Sequence, residues 1–439
     1  MQTRETLHVI TRNAPGIYYE GRETPEGFEY ELASMFADSI GVDIEIKVAN
    51  TRSQVRSALD NGFTNMAASM MHSQDEVAKK HFVSTPFLET TPLAVYRYGT
   101  TRPRSIDDMI GKRVAVVGDS YLNNFLISLK EEYPQLKWQP LNIETVELIR
   151  MVQEDELDFA VLTSLELQLH RAFYPRVKRA FDLAEPQGIA WLFPNAGDRS
   201  VVDAANSFIE KTKEDGTIMY LQERYFGHLA KINYVGARTF IRHAKKRLPT
   251  YEQTFQKFSE EHGTDWRLMA AMGYQESHWR SNAVSPTGVR GLMMLTRVTA
   301  KEMGVTNRLD PHESIRGGIK YFAKIHKRIS DDVPEPDKTW FALAAYNVGY
   351  GHLRDAQKLT EKGGKDPNKW ADVKEFLPLL EQKKYYSQTR YGYARGKEPV
   401  IYVQNIRRYY DVLRWIDESK QKERPQTSTT FEEQLLRYK

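Results

Sequence analysis

The order of strand and helix signals changes once along this chain of 439 residues, and that change constrains the fold more than any single motif. Up to about residue 228, short apolar runs bounded by turn residues alternate with amphipathic stretches, which predicts repeated strand–helix units. Such units form parallel sheets covered by helices. Beyond about residue 249 the strand signals vanish and only helix signals remain. We therefore predict an α/β domain followed by an all-α domain.

The α/β part contains two strand–helix units, which predicts two lobes with a cleft and a hinge. A strand is expected around Asn65–Ser69, a second over Thr90–Arg97, and one long helix from Arg199 to about Phe226. The chain is expected to cross between the lobes near Gly99 and again near Pro186. Ligands of open α/β sheets bind beyond the carboxyl ends of the strands, so the cleft is the expected binding site.

Four regions are predicted from these patterns. They are residues 1–228 with a second lobe at about 100–188, a basic connector at 229–248, a helical domain at 249–418 and a polar, mostly disordered tail at 419–439. Within the helical domain, Thr250 with Gln253 predicts a capping box that opens a helix. Asp265 and Asp310, the latter followed by a proline, predict two further helix starts.

Composition narrows the classes of protein and partner. The absence of cysteine excludes disulfides, thiolate metal sites and a cysteine nucleophile within this chain. No apolar run approaches the roughly 20 residues that span a bilayer, and no signal peptide is visible at Met1, so an export signal or anchor is expected to be removed or absent. The net charge of +4 divides into 24 − 33 = −9 over residues 1–228 and 38 − 25 = +13 over the rest. The basic half can attract nucleic acid, anionic lipid or an acidic wall polymer, or it can be an ordinary solvated surface.

Glu276 ends an apolar helical stripe. Residues three or four apart share a helix face, so Met269, Met272 and Glu276 line up, flanked by Leu268 and Trp279. A carboxyl group in apolar surroundings has a raised pKa and can donate a proton to a leaving oxygen near neutral pH. Taken alone, a helical glutamate at the edge of its face is more often an ordinary surface residue.

Three later segments carry candidate binding residues. They are Ser285-Pro-Thr-Gly-Val-Arg-Gly-Leu-Met-Met-Leu-Thr296, Ala344-Ala-Tyr-Asn-Val-Gly349 and Glu398-Pro-Val-Ile-Tyr-Val403. The glycines of the first allow close approach of a ligand, and Met293 offers flexible apolar surface. Tyr346 and Asn347 can bind sugar hydroxyls or an acetamido group. Each segment also has a structural interpretation as a turn with core methionines, a helix C-cap or a core tyrosine.

Together, in this order, the motifs resemble the lytic transglycosylases of peptidoglycan, a family with a goose-lysozyme-like helical domain. The resemblance covers roughly residues 250–416, and Asp310-Pro311, Ser314-Ile315, Gly317-Gly318 and Tyr321 also fit. It implies that Glu276 is catalytic and that the substrate-binding residues are Ser285, Met293, Tyr346, Asn347 and Tyr402. Many relatives carry glutamine where Met294 stands, so no polar role is assigned to that position.

The resemblance also implies a reaction. Most glycosidases use two carboxyl groups, but no second carboxylate with a comparable motif is visible in residues 250–416. Glu276 would protonate the glycosidic oxygen that leaves muramic acid and then accept the proton of the muramoyl C6 hydroxyl, which closes an anhydro ring without water. Ser285 would contact Glu276 or the substrate. No cofactor and no metal are predicted.

The N-terminal half resembles the extracellular solute-binding proteins of the amino-acid class. The matching segments are Gly27-Phe-Glu-Tyr-Glu-Leu-Ala33, Ala78-Lys-Lys80 before Ser84-Thr-Pro-Phe87, and Ile110-Gly-Lys-Arg-Val-Ala-Val-Val-Gly118. Val77 stands where such binders carry an arginine for the ligand carboxylate, and Thr163 where they carry an aspartate for the amine. The usual amino-acid clasp is therefore incomplete.

A solute-binding fold joined to an enzyme predicts regulation by ligand binding. Cell-wall peptides or muropeptides are the expected ligands, with Tyr18, Ser69, Ser120 and Thr163 as candidate effector contacts. Lobe closure on a ligand is a common hinge switch, and the basic connector can transmit it. The pairing of the two halves resembles membrane-bound lytic transglycosylases, which implies a periplasmic protein associated peripherally with the outer membrane.

Three other functions compete with this one. A lysozyme-type hydrolase would add water and leave a reducing end. A binding protein would be either a transport receptor, which would not need the helical domain, or an inactive module that binds the cell wall. A nucleic-acid binder would use the basic half, but no reading helix or zinc spacing supports it, so no nucleic-acid partner is predicted.

Overall fold

The computed structural model describes residues 5–14, 17–20, 25–171, 173–195, 198–227, 234–285 and 288–422. The chain forms two compact units, Met1–Arg238 and Thr239–Lys439. The described strands all fall in the first unit: β1 (Thr6–Arg12), β2 (Tyr19–Glu20), β3 (Pro25–Glu26), β4 (Asp43–Ala49), β5 (Met66–His72), β6 (Phe82–Val83), β7 (Leu88–Thr90), β8 (Pro92–Arg97), β9 (Val114–Val117), β10 (Gln139–Leu141), β11 (Phe159–Thr163), β12 (Val177–Asp182) and β13 (Gln187–Phe193).

The helices run through both units. They are α1 (Phe28–Ile40), α2 (Arg52–Asp60), α3 (Tyr121–Leu129), α4 (Thr145–Gln153), α5 (Ser164–His170), α6 (Ser200–Glu214), α7 (Thr217–Phe226), α8 (Tyr234–Lys246), α9 (Glu252–Glu261), α10 (Trp266–Ser277), α11 (Arg297–Met303), α12 (Pro311–Arg328), α13 (Asp337–Val348), α14 (Tyr350–Lys362), α15 (Trp370–Phe376), α16 (Lys383–Tyr386) and α17 (Lys397–Lys422). The predicted fold class, α/β followed by all-α, is confirmed.

The first sheet of the α/β unit has the strand order β4-β1-β5-β13-β6, with β7 paired to β13. β1 runs parallel to β4 and β5, whereas β13 runs antiparallel to β5. Its core contains Phe36 and Trp191, whose ring centroids lie 5.5 Å apart. Glu29 is fully buried beneath this sheet and accepts hydrogen bonds from the Met70 amide (2.6 Å) and the Trp191 indole (2.8 Å).

The second sheet has the order β10-β9-β11-β8-β12. The single strand predicted over Thr90–Arg97 is in fact two strands, because β7 pairs in the first sheet and β8 in the second. The chain therefore crosses at Thr91 and not near Gly99. It returns between Asp182 and Gln187, close to Pro186 as predicted.

The long helix predicted from Arg199 to Phe226 is wrong as a single element. It is divided into α6 and α7 at Gly216, whose φ of 80° is left-handed and cannot continue a right-handed helix. The break lets both short helices cover the first sheet, where Ile209 and Leu221 join its core.

In the helical unit, α10 packs against α9 and α17, and α13 packs against α12 and α17. Two predicted helix starts are confirmed, since Asp265 accepts from the Arg267 amide (2.8 Å) and Asp310 from the Glu313 amide (2.8 Å). The capping box at Thr250 is wrong. Thr250 ends a tight 3₁₀ turn begun at Leu248, so α9 starts later, at Glu252, without a side-chain cap.

The last helix, α17, extends to Lys422, so the first residues of the segment predicted as a disordered tail, 419–439, are helical. Residues 423–439 lie outside the described residues. Within the described part of the chain, no helix combines the length and apolar character needed to cross a bilayer.

Candidate active site

Glu276 lies one residue before the end of α10. The predicted stripe is confirmed, because Met269 and Met272 are fully buried while Glu276 keeps part of its surface accessible. The two residues that follow the helix, His278 and Trp279, both have left-handed φ angles, of 55° and 54°. The Trp279 indole is buried and donates to the Ala270 carbonyl oxygen at 2.8 Å, which fixes this sharp turn against α10.

Tyr402 from α17 is the direct partner of Glu276. Its hydroxyl donates to Glu276 Oε1 at 2.5 Å, and its ring is buried. Burial raises the pKa of Glu276 to about 7, and the Tyr402 hydrogen bond opposes that rise. Burial and the neighbouring Glu276 charge hold the pKa of Tyr402 well above its usual value, so the phenol stays a donor at neutral pH.

Tyr346, near the end of α13, completes a trio with Glu276 and Tyr402. Its hydroxyl donates to the Met293 carbonyl oxygen at 3.0 Å. Burial raises the pKa of Tyr346 well above its usual value, and the Glu276 charge adds to that shift, as it does for Tyr402. Three elements that are far apart in sequence therefore place one carboxyl group beside two phenols.

Met293 serves this site through its main chain. Its side chain is 0% exposed and packs against two helical glycines: a methyl group on Gly273 would lie 3.1 Å from Met293 Sδ, and one on Gly318 would lie 2.6 Å from Met293 Cβ. The prediction that this thioether lines a sugar groove is therefore corrected. Its carbonyl oxygen holds Tyr346, and its amide donates to Ser314 Oγ at 3.1 Å.

Ser285 belongs to a tight loop that precedes Met293. The Ser285 amide donates to the Val289 carbonyl oxygen at 3.0 Å, and the Val289 amide donates to Ser285 Oγ at 3.2 Å. Arg308 fastens the loop from outside by donating to the carbonyl oxygens of Gly288 (3.0 Å) and Leu295 (2.9 Å). The Ser285 side chain is partly exposed.

Asn347 follows Tyr346 and is exposed. Gly349 ends α13 with a φ of 93°, as the sequence predicts for a helix that stops at a glycine. The amide group of Asn347 therefore stands at the end of the helix that carries Tyr346, accessible to a ligand.

Two residues near the trio were not assigned a role from the sequence. Tyr321 lies with its ring centroid 5.3 Å from that of Tyr346, and Ser314 binds the Met293 amide. Both lie on α12 seven residues apart, which places them on one helix face. Because the segment was already matched to the family, the spacing of seven residues could have predicted that both side chains face the site.

No second acid–base group and no metal cluster accompany Glu276 among the described residues. Burial and Tyr402 account for the shift in the pKa of Glu276, without a contribution from another carboxylate. No group of three or more histidine, aspartate or glutamate side chains in the described ranges could hold a metal ion. A single carboxyl group with a pKa of about 7 can both donate and accept a proton near neutral pH.

The α/β unit contains a second candidate site, a pocket between its two sheets. Three of the four predicted effector residues, Ser69, Ser120 and Thr163, line it. Their hydroxyls already have internal partners: Ser69 accepts from Arg12 Nε (3.2 Å), Ser120 donates to the Val117 carbonyl oxygen (2.6 Å), and Thr163 donates to Glu166 (3.1 Å). Tyr18 is buried with its ring against Tyr30 and is not among the lining residues, so the structure does not bring it to this pocket.

Three ion pairs cross this pocket from the first lobe to the second. They are Arg12–Glu144 (3.3 Å), Arg52–Glu166 (2.9 Å) and Arg56–Asp119 (2.9 Å). Burial alone would raise the pKa of Glu166, but the Arg52 charge and hydrogen bonds from Thr163 and Thr145 lower it to about 2. These residues were not predicted from the sequence, because their pairing joins distant segments and they do not occupy the two clasp positions of amino-acid binders.

A stacked pair of rings forms one wall of the pocket. His72 at the end of β5 lies 4.5 Å from Tyr121 at the start of α3, with the ring planes 17° apart. Burial lowers the pKa of His72 to about 4, so its ring is neutral at neutral pH. The pocket therefore combines a flat apolar wall with several charged groups.

Comparison with known proteins matches both units. Residues 253–369 match the transglycosylase SLT domain, and residues 7–228 match the bacterial extracellular solute-binding proteins, family 3. Solved structures similar to the N-terminal half include a mutant of ArgBP from T. maritima, with 20% identity, 51% of this chain and 95% of that chain covered, and a TM-score of 0.45.

Curated relatives match nearly the whole chain. A membrane-bound lytic murein transglycosylase F from Hahella chejuensis is 51% identical over 415 residues, which are 93% of this chain and 81% of the relative. The proteins of the same name from Marinobacter nauticus and Stutzerimonas stutzeri are each 48% identical, with 93% of this chain and 81% or 85% of the relative covered. The chain belongs to the family of membrane-bound lytic murein transglycosylase F.

Proposed function

We propose that this protein is a peptidoglycan lytic transglycosylase that cleaves the bond between N-acetylmuramic acid and N-acetylglucosamine without consuming water. The observation that carries the proposal is Glu276, a partly buried carboxyl group with a pKa of about 7 beside the phenol of Tyr402. A group with that pKa is partly protonated and partly ionised at neutral pH, which suits a residue that acts first as acid and then as base.

In the first step, the protonated Glu276 gives its proton to the glycosidic oxygen, and the bond from that oxygen to C1 of the muramoyl residue breaks. The N-acetyl oxygen of the same sugar stabilises the positive charge that develops at C1, as in substrate-assisted glycosidases. The carboxylate that remains on Glu276 is stabilised by the hydrogen bond from Tyr402.

In the second step, the C6 hydroxyl of the muramoyl residue attacks C1, and Glu276 Oε accepts the hydroxyl proton. The product is a 1,6-anhydro ring, and Glu276 is protonated again for the next cycle. This route needs one carboxyl group, in agreement with a pKa of Glu276 that no second carboxylate perturbs. General acid–base help of this kind contributes about 100- to 10,000-fold in rate.

Around the reacting bond, the exposed amide of Asn347 and the hydroxyl of Ser285 are our candidates for contacts with the acetamido and hydroxyl groups of the substrate. Tyr346 donates to the Met293 carbonyl oxygen, and this hydrogen bond fixes α13 against the loop that contains Met293. Tyr402 orients the Glu276 carboxyl group.

The mass of the released muropeptides tests the reaction. A lytic transglycosylase gives an anhydro product that is one water lighter than the product of a lysozyme-type hydrolase. In water enriched in heavy oxygen, the hydrolase incorporates the label at C1 and the transglycosylase does not. Labelled, reducing ends from the purified full chain would contradict the proposal and favour the hydrolase.

We also propose that the α/β unit is a ligand-responsive regulator of the enzyme. The supporting observation is a pocket in which charged groups of the two lobes form ion pairs with each other. The pair in which both side chains are mostly buried is Arg52 with Glu166. A ligand with both a carboxylate and an ammonium group, such as a cell-wall peptide, can replace both partners of such a pair. Lobe closure or opening would then follow occupancy.

The connector helix offers a route from that regulator to Glu276. Arg247, the residue directly after α8, donates to the carbonyl oxygen of His278 at 2.9 Å. His278 lies two residues after Glu276. Earlier on α8, His243 Nδ1 lies 3.0 Å from the hydroxyl of Tyr274, which also belongs to α10. A shift of α8 would therefore displace the end of the helix that carries the acid.

Calorimetry with muropeptides and a rate assay on the same full-length protein test this regulation together. The proposal predicts that muropeptides bind and change the rate, and that Arg247→Ala reduces the change in rate while leaving binding intact. If cell-wall fragments neither bind nor alter the rate, the regulatory role is wrong and the enzymatic proposal is unaffected.

Its substrate leads us to propose that the protein acts in the periplasm, attached peripherally to the outer membrane. Fractionation of cells that express the natural protein tests this placement, and recovery from the cytosol would contradict it.

A further inference from the structure

A basic and tyrosine-rich surface segment lies next to the catalytic elements without a role in the reaction derived above. Residues 383–397, called here the tyrosine platform, contain five lysines or arginines, four tyrosines and no aspartate or glutamate. The platform consists of the short helix α16 and the loop that leads into α17.

The backbone of the platform is held from below by a buried carboxylate. Asp355 of α14 is 2% exposed, and its two carboxylate oxygens accept from the amides of Arg390 (3.2 Å) and Tyr391 (2.8 Å). A buried charge that satisfies two consecutive loop amides fixes the loop in one conformation.

The side chains of the platform, in contrast, remain open. Tyr391 is 52% exposed and Tyr393 is 56% exposed. The ring of Tyr391 lies directly on Gly351 of α14, where any Cβ would approach three of its ring atoms to 2.8 Å. The ring of Tyr393 meets that of Tyr386 edge-on at 5.7 Å. Fixed, exposed aromatic rings are costly to leave in water and are characteristic of binding surfaces.

The platform contacts α14, which follows α13, and it leads directly into α17. Gly351 and His352, which support Tyr391, follow Asn347 by only a few residues, and the His352 ring lies 6.0 Å from that of Tyr391. On the other side, the platform ends at the first residue of α17, the helix that carries Tyr402. A chain-like substrate bound at Glu276 and Asn347 can thus extend onto it.

We propose that the tyrosine platform binds the glycan strand beyond the bond that is cleaved. The C–H faces of the amino-sugar rings would pack on Tyr391 and Tyr393, while the phenols donate to sugar hydroxyls. Arg395 and Lys397 already pair with Glu398 (3.2 Å) and Glu381 (3.5 Å). Lys383, Lys384 and Arg390 would attract the carboxylates of the peptide stems. This assignment rests on the proposed transglycosylase function and makes the enzyme prefer long strands that carry acidic stems.

The test compares long glycan strands with a tetrasaccharide in the full-length enzyme. For Tyr391→Ala and Tyr393→Ala, the ratio of kcat/KM for long strands to kcat/KM for the tetrasaccharide falls about 2- to 10-fold, the range expected for one aromatic contact. Tyr391→Phe and Tyr393→Phe retain the ring and lose less than the alanine variants. Val298→Ala, on α11 and 78% exposed, leaves the ratio unchanged.

Binding of the Glu276→Gln protein to intact sacculi gives a second readout that does not need cleavage. Retention falls when Tyr391 and Tyr393 are both changed to alanine and does not fall with Val298→Ala. Thermal unfolding curves check that the Tyr393→Ala protein, whose ring is exposed, is folded.

An unchanged length preference in both alanine variants would overturn the proposal. If the same variants also lost retention on anionic lipid vesicles, the platform would be a membrane contact instead. Failure of the proposed transglycosylase function can be told apart from failure of the platform proposal. A hydrolytic product from the wild-type enzyme would contradict the transglycosylase function, whereas the length preference would still report on the platform.

Discussion

The hydroxyl oxygen of Tyr402 lies 2.5 Å from Oε1 of Glu276, and this hydrogen bond joins α17 to α10. Burial favours the protonated carboxyl group, whereas the phenol, held as a donor, favours the carboxylate. The two effects leave the pKa of Glu276 at about 7. This balance, rather than burial alone, suits the two roles proposed for Glu276, first as acid and then as base.

Glu276→Gln should abolish proton transfer while the site keeps its shape. We expect the cleavage rate to fall at least about 100-fold, because general acid–base catalysis contributes about 100- to 10,000-fold. Sacculus binding should persist, since glutamine preserves the size of the side chain. Asp310→Asn, which alters a carboxylate used as a helix cap, is the control and should retain activity. Substantial cleavage by the glutamine variant would falsify the assignment.

The same substitution should change how stability depends on pH. The folded-state pKa of Glu276, about 7, lies above the unfolded value of 4.5, so the folded protein holds a proton that the unfolded chain has lost between these values. The wild-type protein therefore loses stability as pH rises from 4.5 to 7, by at most about 3 kcal/mol from this group. Thermal unfolding at about pH 5 and about pH 8, on either side of most of this window, should show Glu276→Gln relatively more stable at the higher pH.

Tyr402→Phe removes the donor that favours the ionised carboxylate. The pKa of Glu276 should rise further, so the fall of kcat/KM with increasing pH, which begins near 7 in the wild type, should move to higher pH. The maximal rate should fall as well, because the carboxylate left after the first proton transfer loses a partner. A pH–rate profile with an unmoved upper limb would show that Tyr402 does not tune Glu276.

Tyr346→Phe tests the link between α13 and the loop that precedes α11. The variant loses the 3.0 Å bond to the Met293 carbonyl oxygen, which should cost about 0.5–1.5 kcal/mol of unfolding free energy. Because the loop then moves more freely beside Glu276, we expect a lower kcat at an unchanged pH dependence. Denaturant unfolding and a pH–rate profile measure the two effects separately, and a shifted pH profile would point to a direct electrostatic role.

Gly291→Ala and Gly288→Ala form a matched pair within one loop. Both glycines have left-handed φ angles, 87° and 82°, so each alanine carries a backbone penalty of about 1 kcal/mol. A Cβ added at Gly291 would also lie 1.7 Å from the Arg308 carbonyl oxygen, whereas one added at Gly288 would have nothing within 4 Å. Gly291→Ala should therefore lose several kcal/mol more stability and nearly all activity. Denaturant unfolding of the two variants measures the difference, and equal effects would mean that the loop can move away from Arg308.

Arg52 and Glu166 should be energetically coupled across the pocket of the α/β unit. A double-mutant cycle with Arg52→Ala and Glu166→Gln should give a coupling of about 0.5–3 kcal/mol, with exposed Arg102→Ala as a control that shows no coupling to Glu166. The folded pKa of Glu166, about 2, lies below its unfolded value, so this stabilisation is present above pH 4.5 and is lost as pH falls towards 2. Zero coupling would mean that the pair does not hold the lobes together.

Elements with strong periodicity could be predicted from the sequence. The stripe of α10, the caps at Asp265 and Asp310 and the glycine stop of α13 depend on local chemistry, and the structure has them. The proposed acid Glu276 and its two tyrosines came from motifs whose order is specific to a family, and in the structure Glu276 interacts with both tyrosines.

Other features depend on contacts that local patterns do not encode. The run Thr90–Arg97 has the composition of one strand, and only the pairing of β13 with β7 divides it between two sheets. Met293 has the character of a groove residue, but Gly273 and Gly318 have no side chains, and the space that this leaves is filled by Met293 in the core. Two of the three ion pairs of the pocket join residues more than a hundred positions apart. Patterns among neighbouring residues in the sequence cannot predict such pairs.

The three ion pairs of the α/β unit have a common direction, with every arginine on one lobe and every carboxylate on the other. Separating the lobes therefore exposes one positive and one negative wall to the solvent. Dissolved ions screen charges over roughly 10 Å at about 0.1 M salt, so a higher ionic strength should weaken the attraction between these two walls. The salt concentration should therefore enter any measurement of how strongly the two lobes of this unit attract each other.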